Sequence, residues 1–180
     1  YNPEIADHEY NPEWAKKIVK ETELEGKTIQ FHLPIGLGVL GDFVRESLTE
    51  IGVNVVVSNL ELDELMLSME KGDADLYFFG FKSELADSSD FLNLIARSNS
   101  IYNYSNYANE MVDSFIISSL IEIQENKRIT DLQEAMSIII EEDIVGVPLF
   151  EYETIFAFSD KLYIEPRIDG LIYFDDLILK

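Results

Sequence analysis

Residues 27–70 have the sequence KTIQFHLPIGLGVLGDFVRESLTEIGVNVVVSNLELDELMLSME, and the spacing of their apolar side chains decides the fold. Residues 27–33 alternate between apolar and polar as a strand does, and residues 40–51 carry apolar side chains at helical spacing. The β-branched run at 53–57 predicts a second strand covered on both faces. Residues 60–69 then predict a second helix.

A third strand is predicted at residues 75–81, so strands and helices alternate through the first half of the chain. Each helical connection has about a dozen residues, a length typical of crossovers between parallel strands. The pattern therefore predicts an α/β fold with a mixed, mostly parallel sheet flanked by helices.

The flanking sequence predicts more helices and a β-rich end. Asn11 followed by Pro12 is typical of a helix start. After the third strand we expect a polar loop at 82–89, a short helix at 90–96, an aromatic loop at 102–107, helices at 109–123 and 126–142, and two or three short strands near the end. The apolar stripes of the two longer helices are predicted core faces: Val112, Phe115, Ile116 and Ile123, and Ile129, Leu132, Met136, Ile139 and Ile140.

Composition indicates a single domain over residues 1–180. Of these residues 47% are hydrophobic, which is enough for one sizeable core. The net charge of −22 argues against nucleic-acid binding, which needs Lys and Arg to neutralise phosphates. No apolar run approaches the roughly 18–20 residues that a membrane helix needs. The opening residues 1–4 have the character of a linker, and we expect the chain to be part of a longer protein.

The sequence contains no recognisable catalytic, metal-binding or cofactor motif. Its two histidines, His8 and His32, lie far apart, and it has no cysteine. Gly36 and Gly38 lack the third glycine of a dinucleotide-binding loop, so we interpret them as a strand-to-helix turn. We expect neither an enzyme nor a cofactor. In open α/β sheets ligands bind beyond the carboxyl ends of strands, and the loop after Phe81 is the richest in polar side chains.

A series of segments, taken in order, resembles one protein family. They are YNPEWAKK at 10–17, EIGV at 50–53, GFKSELADSSDF at 80–91, NYSNY at 103–107, NKRITDLQEAM at 126–136, VPL at 147–149 and DGLIYF at 169–174. Over nearly the whole chain they resemble the family 5 extracellular solute-binding proteins, which serve peptide, dipeptide and nickel importers of the ATP-binding-cassette (ABC) type.

The resemblance implies the C-terminal lobe of a two-lobed protein with a periplasmic-binding-protein-like (type II) fold. Such a protein closes on its ligand by hinge motion. The ligand implied is a short peptide or similar small solute, and the partner is the membrane permease of an importer. The implied location is extracytoplasmic, in the periplasm or anchored at the cell surface, and the implied state is a monomer.

The resemblance also predicts the ligand-binding residues, which are Phe81, Lys82, Glu84, Asp87, Asn103 and Tyr104. Glu84 stands where peptide-binding relatives place an acidic residue, usually Asp, that pairs with the ligand's amino terminus. A carboxylate suits an ammonium group because charge-assisted hydrogen bonds are strong.

Three departures from the family pattern leave the ligand open. Phe81 replaces the family's Trp, Asp87 is followed by Ser88 instead of Pro, and the loop at 34–39 is too short for the Arg and Tyr that hold a dipeptide carboxylate. Free dipeptide is therefore in doubt. A sensory or structural surface protein that uses the same lobe without transport is the alternative.

Overall fold

The computed structural model describes residues 2–6, 8–83, 87–151, 153–167 and 170–180. The predicted Glu84 lies outside these residues. The chain groups into two compact units, one of residues 7–80 and the other of residues 1–6 together with 81–180.

The 7–80 unit contains the predicted alternation of strands and helices. Its elements are α1 (Pro12–Glu21), β1 (Thr28–Pro34), α2 (Gly38–Glu50), β2 (Asn54–Leu60), α3 (Leu62–Lys71) and β3 (Leu76–Tyr77). The strands form a sheet in the order β2-β1-β3, and both pairings are parallel, with Phe31 of β1 opposite Val57 of β2 and Leu76 of β3. Parallel neighbours joined by helices confirm the predicted α/β class.

Local side-chain and backbone signals fix the ends of these helices. The Asn11 side chain accepts a hydrogen bond from the Trp14 N–H at 3.0 Å, so the predicted cap of α1 is confirmed. Glu61 and Glu64 form a reciprocal capping box at the start of α3. Gly72 ends α3 in the left-handed conformation, at φ 68°, which suits a residue without a Cβ.

Two predictions about the strands differ from the structure. Within β2, Val55 is buried but Val56 is 45% exposed, so the strand at this edge of the sheet is covered on one face and not on both. β3 is limited to Leu76–Tyr77, although the Phe78 N–H still donates to the His32 carbonyl at 2.9 Å.

The core of this unit depends on a glycine in α2. Leu33, Phe31 and Val55 are buried together, and α2 packs against β2. A Cβ on Gly41 would lie 2.8 Å from Val57 Cγ1 and 3.4 Å from Leu33 Cδ1. The helix approaches the sheet this closely only because Gly41 has no side chain.

We expect Gly41→Ala to lower the free energy of unfolding by about 1 kcal/mol in urea denaturation. Overpacking destabilises a core by about 1–3 kcal/mol, whereas the higher helix propensity of alanine stabilises the helix by at most about 1 kcal/mol. In a Val57→Ala background the same change should stabilise the protein, because the clashing methyl group is gone. Gly38→Ala is the matched control, since nothing lies within 4 Å of its Cβ position. Equal effects of Gly41→Ala in both backgrounds would contradict the packing explanation.

The second unit is mainly helical and ends in a small antiparallel sheet. Its elements are α4 (Ser88–Phe91) with a π-helical turn at Leu92–Ala96, α5 (Glu110–Ile121), α6 (Glu125–Ser137) with a π-helical turn at Ile138–Glu142, β4 (Leu162–Tyr163), a 3-10 turn at Phe174–Asp176 and β5 (Ile178–Leu179). β4 and β5 pair antiparallel. The predicted helices and closing strands are therefore present, although no strand forms at 147–149 within the described part of the chain.

The core of this unit lies between α5, α6 and the two π-helical turns. Its buried members are Leu92, Ala96, Val112, Ile116, Leu132, Ala135, Ile138 and Ile139, with Phe115, Met136 and Ile140 packed against them. Most of both predicted stripes is thus confirmed. The prediction is wrong for Ile123 and Ile129. α5 ends at Ile121 and leaves Ile123 96% exposed, and Ile129 of α6 is 41% exposed.

Candidate ligand-binding site

The loop of residues 81–87, which precedes α4, carries four of the six predicted ligand residues. Phe81 is half-buried and its ring meets that of Phe91 edge to face, with centroids 5.4 Å apart. Ser83 Oγ accepts from the Asp87 N–H at 3.3 Å and donates to Asp90 Oδ2 at 3.2 Å. These contacts hold Phe81, Ser83 and Asp87 against α4.

Asp87 caps α4 and forms an ion pair with Arg128. Its Oδ1 accepts from the Ser89 N–H at 2.9 Å, which caps α4, and from Arg128 Nη2 at 2.8 Å. The hydrogen bond from the Arg128 guanidinium holds the pKa of Asp87 well below its usual range, which keeps the carboxylate ionised. Oδ1 of this predicted ligand residue is therefore already engaged by two donors.

Lys82 is exposed and lies against the backbone at Gly170. Its Nζ is 2.5 Å from the place that a Cβ on Gly170 would occupy, and Gly170 adopts a positive φ of 66°. A larger residue at 170 would therefore meet both backbone strain and the Lys82 ammonium group.

Asn103 and Tyr104 lie in a second loop, before α5. The Asn103 amide donates to the Tyr107 carbonyl at 2.7 Å and to the Arg97 carbonyl at 3.2 Å, while its Oδ1 accepts from the Tyr107 N–H at 3.1 Å. The Tyr104 ring lies edge to face with Tyr102 at 6.3 Å. Asn103 thus organises the loop, as Asx side chains do in turns.

A small polar pocket opens in this second loop. It has a volume of about 220 Å³ and is lined by Ser98, Asn99, Ser100, Asn103, Asn106, Tyr107 and Ala108. Its side-chain groups are neutral hydroxyls and amides, which can exchange hydrogen bonds with a polar ligand but cannot balance a full charge.

A contact that the sequence did not predict ties the second loop to the end of the α6 segment. The Tyr107 hydroxyl donates to Asp143 Oδ2 at 2.5 Å, and Asn109 Nδ2 donates to the same oxygen at 2.9 Å. Burial, with the neighbouring Asp143, raises the pKa of Tyr107, and the Tyr107 hydrogen bond lowers the pKa of Asp143. The phenol therefore stays a donor at neutral pH.

A larger cavity of about 530 Å³ lies beside the β4–β5 sheet, and the sequence did not predict it. The Arg167 guanidinium lies 4.6 Å from the centroid of the Tyr173 ring, and Arg167 Nη1 is 3.9 Å from Asp176 Oδ2. Glu165 and Asp175 also line it, so carboxylates outnumber the guanidinium in this lining.

The described residues contain no group of three or more His, Asp or Glu side chains placed to hold a metal ion. They also contain no helix whose length and apolar character would let it cross a bilayer.

Comparison with known proteins finds sequence similarity to a peptide-binding protein. The chain is 25% identical over 148 residues to di/tripeptide-binding protein 2 of Pseudomonas aeruginosa strain UCBPP-PA14, a match that covers 77% of this chain and 28% of the relative. The chain thus spans less than a third of that relative's length. No family model matches it.

Solved structures share the fold. The ABC transporter-associated periplasmic binding protein DppA of Helicobacter pylori, in complex with the peptide STSA, matches at a TM-score of 0.73 and 23% identity, over 83% of this chain and 30% of its own. HbpA2 of Haemophilus parasuis matches at a TM-score of 0.81 and 19% identity, over 100% of this chain and 38% of its own.

These matches confirm the resemblance indicated by the sequence motifs. The chain is similar to a di/tripeptide-binding protein, and its fold is that of the type II periplasmic binding proteins. These relatives are named as binding proteins and not as enzymes.

Proposed function

We propose that this chain is the C-terminal lobe of the substrate-binding component of an ABC-type importer, and that its ligand is a short peptide or a similar small solute. The match to a di/tripeptide-binding protein across 77% of the chain carries this proposal. The fold shared with a peptide-bound periplasmic protein supports it.

In this proposal residues 1–180 form one lobe, and the ligand cleft is completed by another part of a longer protein. The relatives are about three times the length of the chain. Large apolar side chains near the end are also strongly exposed, including Ile155 at 87%, Phe174 at 86% and Leu179 at 81%. Exposed apolar surface of this kind is typical of faces that another part of a protein covers.

The six predicted residues form the proposed half-site. Phe81 offers an aromatic wall for side chains or peptide planes, Lys82 an ammonium group and Tyr104 a phenol. Asn103 takes part by organising its loop, because its amide is engaged there by Arg97 and Tyr107. Glu84 pairs with the ligand's amino terminus. Asp87 belongs to the site mainly as its support, because its Oδ1 is engaged by Ser89 and Arg128.

The rest of the proposal follows the relatives. The protein binds and releases its ligand without catalysis, delivers it to a membrane permease, and acts as a monomer. It works outside the cytoplasm, in the periplasm or at the cell surface, with an anchor in the full-length protein. One relative is described as ABC transporter-associated and periplasmic, which supports the permease as partner and the location outside the cytoplasm.

Thermal melting of the full-length protein with a mixed short-peptide library tests the proposal, with sugars and nickel in parallel. A ligand at 100 times its Kd should stabilise the folded state by about 2.7 kcal/mol. For a protein about three times the length of this chain, an unfolding entropy of about 2.1 cal/mol/K per residue makes this a Tm shift of about 2–3 °C. We expect the shift with peptides alone. A shift with sugar or nickel instead would show that the ligand is not a peptide. No shift with any of them would favour a sensory or structural role.

A further inference from the structure

We propose that Arg128 is the residue that positions the 81–87 loop for ligand binding, acting through Asp87 without touching the ligand. This inference rests on the proposed function, because it assigns a supporting group to the same site. It depends on three contacts made by one guanidinium group.

Arg128 joins three helices of its unit. It lies in the first turn of α6, where Nη2 donates to Asp87 Oδ1 at 2.8 Å and to Ser89 Oγ at 3.1 Å. Its Nε donates to the carbonyl of Ser119, in α5, at 3.1 Å. The planar fork of arginine allows these contacts at once, and the single ammonium of lysine cannot reproduce them.

These contacts are partly shielded from water. The Arg128 side chain is 28% exposed and that of Asp87 is 32% exposed, whereas Lys127 next to it is 60% exposed. A half-buried, charge-assisted contact with several donors holds its partners more firmly than a surface ion pair does.

The described residues of the 81–87 loop depend on α4 for their position. Phe81 contacts the Phe91 ring, and Ser83 is hydrogen-bonded to Asp87 and Asp90, so Phe81 and Ser83 are anchored on α4. α4 continues into the π-helical turn at Leu92–Ala96, whose Leu92 and Ala96 lie in the core, so the far end of α4 is fixed there and its first turn needs a separate attachment. Arg128 attaches its first turn to α5 and α6, which carry the core of this unit.

A loop held in its binding conformation binds more tightly because less ordering is needed when the ligand arrives. We therefore expect Arg128→Gln to weaken peptide binding about five- to tenfold, the result of leaving one or two side chains to be ordered on binding. The same variant should exchange the Asp87 and Ser89 amide hydrogens faster, while amides within α6 keep their protection.

The experiment uses the full-length protein at 20 °C, with folding of each variant verified by circular dichroism. Peptide affinity is measured by titration calorimetry and amide exchange by mass spectrometry. Lys127→Gln is the matched control: it removes the neighbouring positive charge of α6, which pairs with Glu122 at 2.5 Å, and should change neither readout. Arg128→Lys keeps the charge but not the fork, so it should restore affinity only in part.

A second variant covers the case in which Arg128→Gln fails to fold. Asp87→Asn keeps an oxygen that can cap α4 but loses the charge, and should weaken binding to a similar degree. The double variant should bind no more weakly than the Arg128 variant alone, because both changes remove the same contact.

The outcomes separate this inference from the proposed function. Faster exchange at residues 87 and 89 with weaker peptide binding supports it. If wild-type protein binds peptide and Arg128→Gln binds equally well, the inference fails and the proposed function stands. If wild-type protein binds no peptide, the proposed function fails, and unchanged amide exchange in Arg128→Gln would overturn the positioning role independently.

Discussion

Replacing Ile116 by alanine should lower the free energy of unfolding by about 2–5 kcal/mol, the range for truncating a buried isoleucine. Ile116 is 0% exposed and lies in the cluster formed by α5, α6 and the two π-helical turns. Truncation removes apolar contacts on several sides and leaves a cavity, because packed helices relax only in part. Urea denaturation followed by circular dichroism measures the loss.

Ile117→Ala provides the comparison within the same helix turn. Its side chain is 50% exposed, so the same chemical change should alter stability by about 0.5 kcal/mol or less. Similar losses from the two variants would mean that the cluster is not the core of this unit. A loss at Ile116 accompanied by a smaller denaturant m-value would instead indicate that unfolding is no longer two-state.

The 7–80 unit shows what hydrophobic periodicity can predict. The pattern located three strands and two helices, because residues that face a core repeat at fixed intervals. It did not identify which apolar residues are buried: Trp14 is 63% exposed and Phe43 is 65% exposed, whereas Gly41 is buried. A glycine at a helix–sheet contact adds nothing to an apolar pattern, although the contact depends on it.

The shortness of β3 shows a second limit. Residues 75–81 have a strand-like composition, but regular pairing with β1 stops after Tyr77. Asp75 contacts Gln30 through both its backbone and its side chain. Its N–H donates to the Gln30 carbonyl at 3.1 Å, and its Oδ2 accepts from the Gln30 N–H at 2.7 Å. Such a contact between residues 45 positions apart cannot be derived from local propensity.

The candidate site was predicted at the level of loops and not of contacts. The sequence placed Lys82 and Asp87 in a loop after a strand that ended at Phe81, and Asn103 and Tyr104 in a second loop. The structure has both loops, but Phe81 lies in the first of them because β3 ends at Tyr77. It did not predict the ion pair of Asp87 with Arg128 or the hydrogen bond of Tyr107 with Asp143. These pairs are separated by 41 and 36 positions, and a single sequence holds no signal that joins them. Arg128 did stand in a segment resembling the family, and that was the one available indication.

Glu84→Gln should weaken the binding of peptides with a free amino terminus by about 1.5–3 kcal/mol, the range for a hydrogen bond to a charged group. This corresponds to a loss of affinity of about 10- to 150-fold. The physical reason is that glutamine keeps the size of the side chain and one acceptor oxygen but removes the negative charge that balances an ammonium group. Titration calorimetry of the full-length protein with one peptide in free and N-acetylated forms measures the effect.

The acetylated peptide distinguishes a specific pairing from general damage to the site. Without an ammonium group it should bind wild-type protein and Glu84→Gln about equally, since the difference between the two proteins is a charge that it cannot use. Glu84→Asp, which restores the family's usual residue, should keep most of the affinity for the free peptide. Glu110→Gln removes an exposed carboxylate from the first turn of α5 and should leave both peptides unaffected. If Glu84→Gln weakens both peptides alike, the carboxylate supports the loop instead of the ligand, and if it weakens neither, the amino terminus is bound elsewhere.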